Sequence, residues 1–155
     1  NMKYLFTLLI AITLVTPVRA QEFEEGQAWA YKTRDHETES FIQITHIDDG
    51  PEDDRIVSIS INNLKMEIIN SPESYLKFLP HLPVSENMLK SNVTHQVNSV
   101  SLPTMSYVGY DTWKEQYDAG KAGWWTIDVR EIVSSTEEMI NQKINEMGGD
   151  FPVLK

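Results

Sequence analysis

The stretch "RIVSISINNLKMEII", residues 55–69, constrains this chain more than any other. Apolar residues recur at every second position through Val57, Ile59 and Ile61, and again through Leu64, Met66 and Ile68. A period of two marks a strand with one face against a core. Asn62 and Asn63 separate the runs, and Asn tolerates the positive φ of a two-residue hairpin turn of the primed type. With Ile61 and Leu64 flanking that turn, all six apolar side chains fall on one face. The expectation is a tight antiparallel hairpin.

The neighbouring segments extend this picture. Ala28–Thr33 alternates, and Ser40–Ile47 places Ile42, Ile44 and His46 on one face. "SPESYLKFL" offers Ser71 as N-cap and Pro72 at the first helical position, which predicts a short helix stopped by Pro80. A second helix, capped by Ser85, is expected over Val84–Val97. Tyr110, Trp113 and Tyr117 share a third helical face, and Gly120 can end that helix in a left-handed turn. "GWWTI" reads as a fifth strand. Asp128 and Glu131 form a capping box for a last helix that buries Val129, Ile132, Val133, Ile140, Ile144 and Met147 and stops at Gly148-Gly149. Strands followed by helices imply an α+β fold: an antiparallel β-meander of about five strands with three to four helices packed on one face.

Upstream, Lys3, the apolar run Tyr4–Val15, Pro17 and then "VRA" have the order of an export signal cleaved after Ala20. The run is shorter than the roughly 20 apolar residues a spanning helix needs, so no stable membrane anchor is expected. Residues 2–20 are therefore read as a signal peptide and 21–155 as a single α+β domain. The location expected is periplasmic, or secreted after cleavage. No cysteine is present, so an exported domain of this kind is held by packing alone. Its formal charge of −10, made more negative by loss of Lys3 and Arg19, repels phosphate backbones and anionic lipid. A basic protein or a cation suits such a surface and nucleic acid does not, and solubility alone also accounts for the acidity. The oligomeric state is not readable from these residues.

Three stretches, "GQAWAYKTR", "HLPVSE" and "TWKEQYDAGKAGWWTI", resemble an uncharacterised family of small exported bacterial proteins. Its pattern is G-x-x-W-x-Y-x-T-R, a central H-L-P-[FV]-S, and T-W-K-x-x-x-D-A-G-K-A-G. Thr112–Gly123 carries the most specific part of the likeness. In that pattern a His stands on the strand where this chain has Ser58. The resemblance implies export and a single domain, and it implies no activity.

Chemistry-bearing motifs are sparse. "HIDDGPEDDRIV" is rich in carboxylates, but counting from Asp48 puts Gly50 third and no Glu twelfth, against the Ca²⁺-loop pattern. A solvated, mobile turn over Asp48–Asp54 is expected, with a weak cation site as the alternative and Ca²⁺ binding no better than weak. From Ser40 to His46 a strand already spans about 20 Å, so His36 and His46 cannot share a metal. His81 and His95 lack ligand spacing, and structural or surface roles are expected for all four histidines. No metal, cofactor or catalytic residue is assigned. "GKAG" lacks phosphate-loop spacing, and G-x-S-x-G and S-x-x-K are absent. Tyr110, Trp113 and Tyr117 fit a core-facing stripe. Trp124 and Trp125 differ, because neighbouring strand residues point to opposite faces. Trp125 is expected to be buried with Ile127, leaving Trp124 for a partner, and Trp124, Trp125 and Trp113 are the candidate partner-binding residues. The reading is an exported, acidic, non-enzymatic binding module of the inhibitor or immunity kind. The alternative is a small hydrolase or ligand-processing enzyme whose site assembles from distant residues.

Overall fold

The structure, a computed structural model, describes residues 22–70, 75–98 and 108–148. Its strands are β1 (Ala28–Tyr31), β2 (Phe41–Asp48), β3 (Ile56–Glu67), β4 (Tyr75–Ser85) and β5 (Val93–Val97). They form one antiparallel sheet in the order β4-β3-β2-β1-β5. The helices are α1 (Glu86–Asn92), α2 (Tyr110–Asp118) and α3 (Val129–Glu146). The first four strands are a meander, and the whole is α+β.

The expected hairpin is not there. Residues 56–67 run on as one strand of 12 residues, with no reversal at Asn62-Asn63. Asn62 pairs with Phe78 of β4, and the next pair is Met66 with Leu76. Four steps along β3 thus match two along β4, which is a bulge. A bulge and a two-residue turn shift apolar alternation in the same way, and both use a left-handed residue, here Asn63 at φ 56°. The choice is made outside the strand. The Ser40 hydroxyl donates to Asn62 O (2.8 Å), and Lys65 N–H donates to the Glu37 carboxylate (2.9 Å), so both sides of the bulge are held from the β1–β2 connection.

The helix expected from Ser71 to Pro80 is also corrected. Residues 71–74 lie outside the described residues, and Tyr75–Ser85 is strand. Pro80 and Pro83 fit because β4 is an edge strand, where a missing N–H breaks no ladder. The second expected helix ends early: Ser85 does cap it, accepting from Met88 N–H at 3.1 Å, but Val93–Val97 is strand. This segment, not "GWWTI", supplies the fifth strand. "GWWTI" contributes an isolated bridge between Trp125 and Val84. Ser85 to Val93 spans about 12 Å at 1.5 Å per helical residue. A flat sheet would separate β4 from β5 by about 19 Å. The sheet therefore coils, and α1 closes the gap with Met88 and Leu89 in the core.

Ile42, Ile44, Val57, Ile59 and Ile61 line the concave apolar face, against Val129, Ile132 and Val133 of α3. Of the other apolar residues expected on α3, Ile144 is buried, Ile140 is half-buried and Met147 is 49% exposed. The expected capping box gives way to a longer-range cap. Asp128 makes no side-chain cap bond, and the Asn92 side chain accepts from Val129 N–H (2.8 Å) while donating to Asp128 (3.0 Å). At the bulged end, Arg34 forks onto Glu37 (2.8 and 3.0 Å) and reaches Glu137 of α3 (3.2 Å). Glu137 in turn accepts from Glu67 N–H at 2.9 Å. Burial pushes the Glu37 carboxyl up, but Arg34 and the Lys65 N–H outweigh it and hold the group below its ordinary range. Trp29, Tyr31 and Arg34 of "GQAWAYKTR" are thus structural, with Tyr31 bonded to Ser40 at 2.9 Å.

Candidate functional site

Two further bulges build the most chemically suggestive cluster. On β2, Ile44 pairs with Ile59 and His46 with Ser58, so Thr45 is an extra residue and His46 leaves the face of Ile42 and Ile44. The expectation that these three share a face fails here. On β4, Leu79 pairs with Ile61 and Leu82 with Ile59, which places an extra residue around Pro80-His81. Both bulges re-aim a histidine toward the face of β3 that carries Ser58. The His81 Nε2 lies 3.1 Å from the Ser58 hydroxyl.

Helix α2 rests on this cluster. The Tyr110 ring stacks on His46 (centroids 3.5 Å apart, planes within 3°), and its hydroxyl donates to both oxygens of Asp48 (3.1 and 3.2 Å). His81 meets Tyr110 edge-on at 5.9 Å and lies tilted against Trp113 at 5.6 Å. A Cβ on Gly109 would come within 3.4 Å of His81, so the start of the helix covers the imidazole closely. None of the nine residues of α2 is buried. This refines the expected arrangement: α1 and α3 pack on the apolar face, whereas α2 is held by rings on the opposite one.

Burial above all, with the neighbouring His46, pushes the His81 imidazole down to about 4 against the pull of Asp48, so it is neutral at pH 7. The Tyr110 phenol is pushed up to about 12 by burial and by the Asp48 charge. A neutral His on a Ser hydroxyl resembles an activated nucleophile. Three features oppose that role. Ser58 is fully buried, Asp48 is engaged by Tyr110 instead of orienting His81, and α2 covers the pair. As arranged, the cluster fastens a helix.

From Trp113 an aromatic row continues to the surface. Trp113 stacks on Tyr117 (5.1 Å), and Tyr117 meets Trp124 edge-on (6.0 Å). Gly120, at φ 71°, ends α2 as expected: its N–H reaches Tyr117 O at 2.9 Å and that of Lys121 reaches Gln116 O at 2.8 Å. The chain then doubles back, and the Trp113 indole locks it by donating to Gly123 O at 2.8 Å. "TWKEQYDAGKAGWW" is therefore a helix, its stop and its return. Trp125 then pairs with the outer edge of β4: its N–H donates to Pro83 O and its O accepts from Ser85 N–H, both at 2.8 Å.

The expected faces of the tryptophan pair are reversed. Trp125 is 43% exposed and Ile127 39%, while Trp124 is half-buried against Tyr117. Without a continuous strand at "GWWTI", alternation could not place them. Pro83, Trp113, Gly123, Trp124 and Trp125 border an open groove of about 400 Å³.

The acidic turn is more structured than expected. Asp48 binds Tyr110, and Asp54 accepts from the Ser85 hydroxyl (2.6 Å) and Asn87 N–H (3.0 Å) at the start of α1. Gly50 is required, since a Cβ there would lie 2.0 Å from Asp54 O. Asp49, Glu52 and Asp53 are exposed. His36 and His95 are exposed and apart from the other two histidines. Among the described residues no three metal-ligating side chains gather, and no helix is long and apolar enough to cross a membrane. The pairing of His46 with His81 was invisible in sequence because it depends on two bulges and on β4 being a strand. No family model, curated protein or solved structure matches the chain.

Proposed function

We propose that this chain is an exported, non-enzymatic binding module of the inhibitor or immunity kind, which meets a basic protein through the groove of Trp113, Trp124 and Trp125. One observation carries the reading: Trp125 is 43% exposed although its backbone is bonded on both sides to β4. A rigidly held, solvent-facing indole loses little entropy on binding and has a large area to bury, the profile of an interface anchor. The excess of carboxylates favours a positively charged partner and speeds the encounter.

A photo-crosslinking residue in place of Trp125 tests the reading in cells that export the protein. A discrete adduct with one basic protein, lost when the probe is moved to Met139 on the exposed side of α3, is expected. Absence of any adduct specific to position 125 would refute it. Export is checked by the mass of the protein from the periplasmic fraction, which should start at Gln21. The hydrolase alternative has one supporting contact, Ser58 with His81. It requires ester or amide turnover that Ser58→Ala abolishes while the fold persists.

A further inference from the structure

The groove does not stand alone. Next to it lies a depression of about 290 Å³ bordered by Asp49, Gly50, Asp53, Asp54 and Arg55. Ser85 joins the two: its N–H bonds Trp125 O on the aromatic side, and its hydroxyl bonds Asp54 on the acidic side. Within the depression, Asp54 is occupied by Ser85 and Asn87, and Arg55 is forked onto Glu86 at 2.9 and 2.7 Å. Asp49 and Asp53 remain as exposed negative charge.

The groove's polar groups restrict what can lie in it. Gly123 O is used by the Trp113 indole, both backbone groups of Trp125 are used by β4, and Pro83 has no N–H. No row of backbone donors and acceptors is left for an added strand. The indole N–H groups of Trp124 and Trp125 have no acceptor among the described residues. A polyproline II segment suits such a surface. It needs no backbone ladder, it presents flat apolar rings to aromatic walls, and its carbonyls point outward to meet indole donors. On the binding-module reading above, we propose that the partner inserts an extended, proline-bearing segment between Trp124 and Trp125, with a flanking Lys or Arg seated against Asp49 and Asp53.

Isothermal titration of the full-length protein with synthetic decapeptides tests this. The probe carries three prolines with an Arg one, two or three residues away. One control replaces Arg by Glu, and another replaces every Pro by Gly. The Arg-Pro peptide should bind at one of the three spacings, and each control should bind at least about tenfold more weakly. Trp125→Ala should weaken the Arg-Pro peptide by about tenfold, with the thermal melt unchanged. The double variant Asp49→Asn/Asp53→Asn should erase the discrimination between Arg and Glu while keeping that between Pro and Gly. Failure of the Arg-Pro peptide at all spacings, or equal binding of the glycine control, overturns the proposal. A specific adduct at position 125 alongside silent peptides would overturn this inference alone and leave the binding-module reading standing.

Discussion

The two ends of β3 hold their helices by opposite means. At the Asn63 end, α3 is fixed by charge: Arg34 bridges Glu37, which is fully buried, and Glu137, which is only half-buried, and Glu137 and Asn141 hydrogen-bond the backbone of Glu67 and Ile69. Four residues of α3 are also buried. At the Ser58 end, α2 buries none and is held by rings, two histidines and one phenol–carboxylate pair. The first junction cannot open without stranding a buried charge. The second can loosen at modest cost, and it is the one that leads to the surface groove.

The largest contrast should come from Glu37. Removing Arg34 (Arg34→Ala) leaves that carboxylate buried and unpaired, with an expected loss of about 3–5 kcal/mol in urea unfolding. A loss under 1 kcal/mol would mean the charged junction is no stronger than the aromatic one. Asn63→Val comes next, because a branched Cβ at φ 56° is strained. About 1–3 kcal/mol is expected. Equal stability would show that the bulge relaxes and that the Glu37 contacts do not depend on it.

Tyr110→Phe should cost about 1 kcal/mol by removing the bond to Asp48. Its change should appear in Trp fluorescence from Trp113 and Trp124 before global unfolding. If the two transitions coincide, α2 is no looser than α3. Titration separates the ends further. The unfolded His81 takes up a proton near 6.5 and the folded one near 4, so the penalty for keeping it neutral grows as pH falls through that window. Glu37 is depressed from 4.5, so its contribution is present above 4.5 and lost only below it. Between pH 6.5 and 4.5 the fluorescence of α2 should change while far-UV ellipticity holds, and His81→Phe should remove the change. Trp125→Ala should be the smallest effect on folding, under about 0.5 kcal/mol as for exposed sites. Trp124→Ala should cost more, and the reverse order would mean the indole of Trp125 is covered.

Much of the fold was legible from local signals, because each was enforced by nearest neighbours. Ser85 as a cap, Gly120 as a terminator and Tyr110–Tyr117 as one helix depend on backbone groups within a turn, and the apolar period of α3 is local although its cap, Asn92, is not. The failures are all decisions between local equivalents. Asn62-Asn63 suits a turn or a bulge equally, and only Ser40 and Glu37 from the preceding connection select the bulge. "SPESYLKFLPHLP" suits a capped helix until β3 offers a free edge on which two prolines are harmless.

The candidate site shows the same division. The aromatic residues were legible as a group, since Trp113, Trp124 and Trp125 lie close in sequence and Gly120 folds them back. The assignment of Trp124 and Trp125 to faces was not, because an isolated bridge imposes no alternation. Nor was the meeting of His46, Ser58 and His81 on neighbouring strands.

By itself, then, the sequence determined the acidic character, the alternation that demands a sheet, and the helix ends at Ser85 and Gly120. These follow from side-chain chemistry and from hydrogen bonds spanning a few residues. The tertiary structure alone decided the strand register, the bulges, the coiling that lets α1 close the sheet, and which tryptophan faces water. A bulge or a face is chosen by what packs across it, and those contacts come from residues tens of positions away.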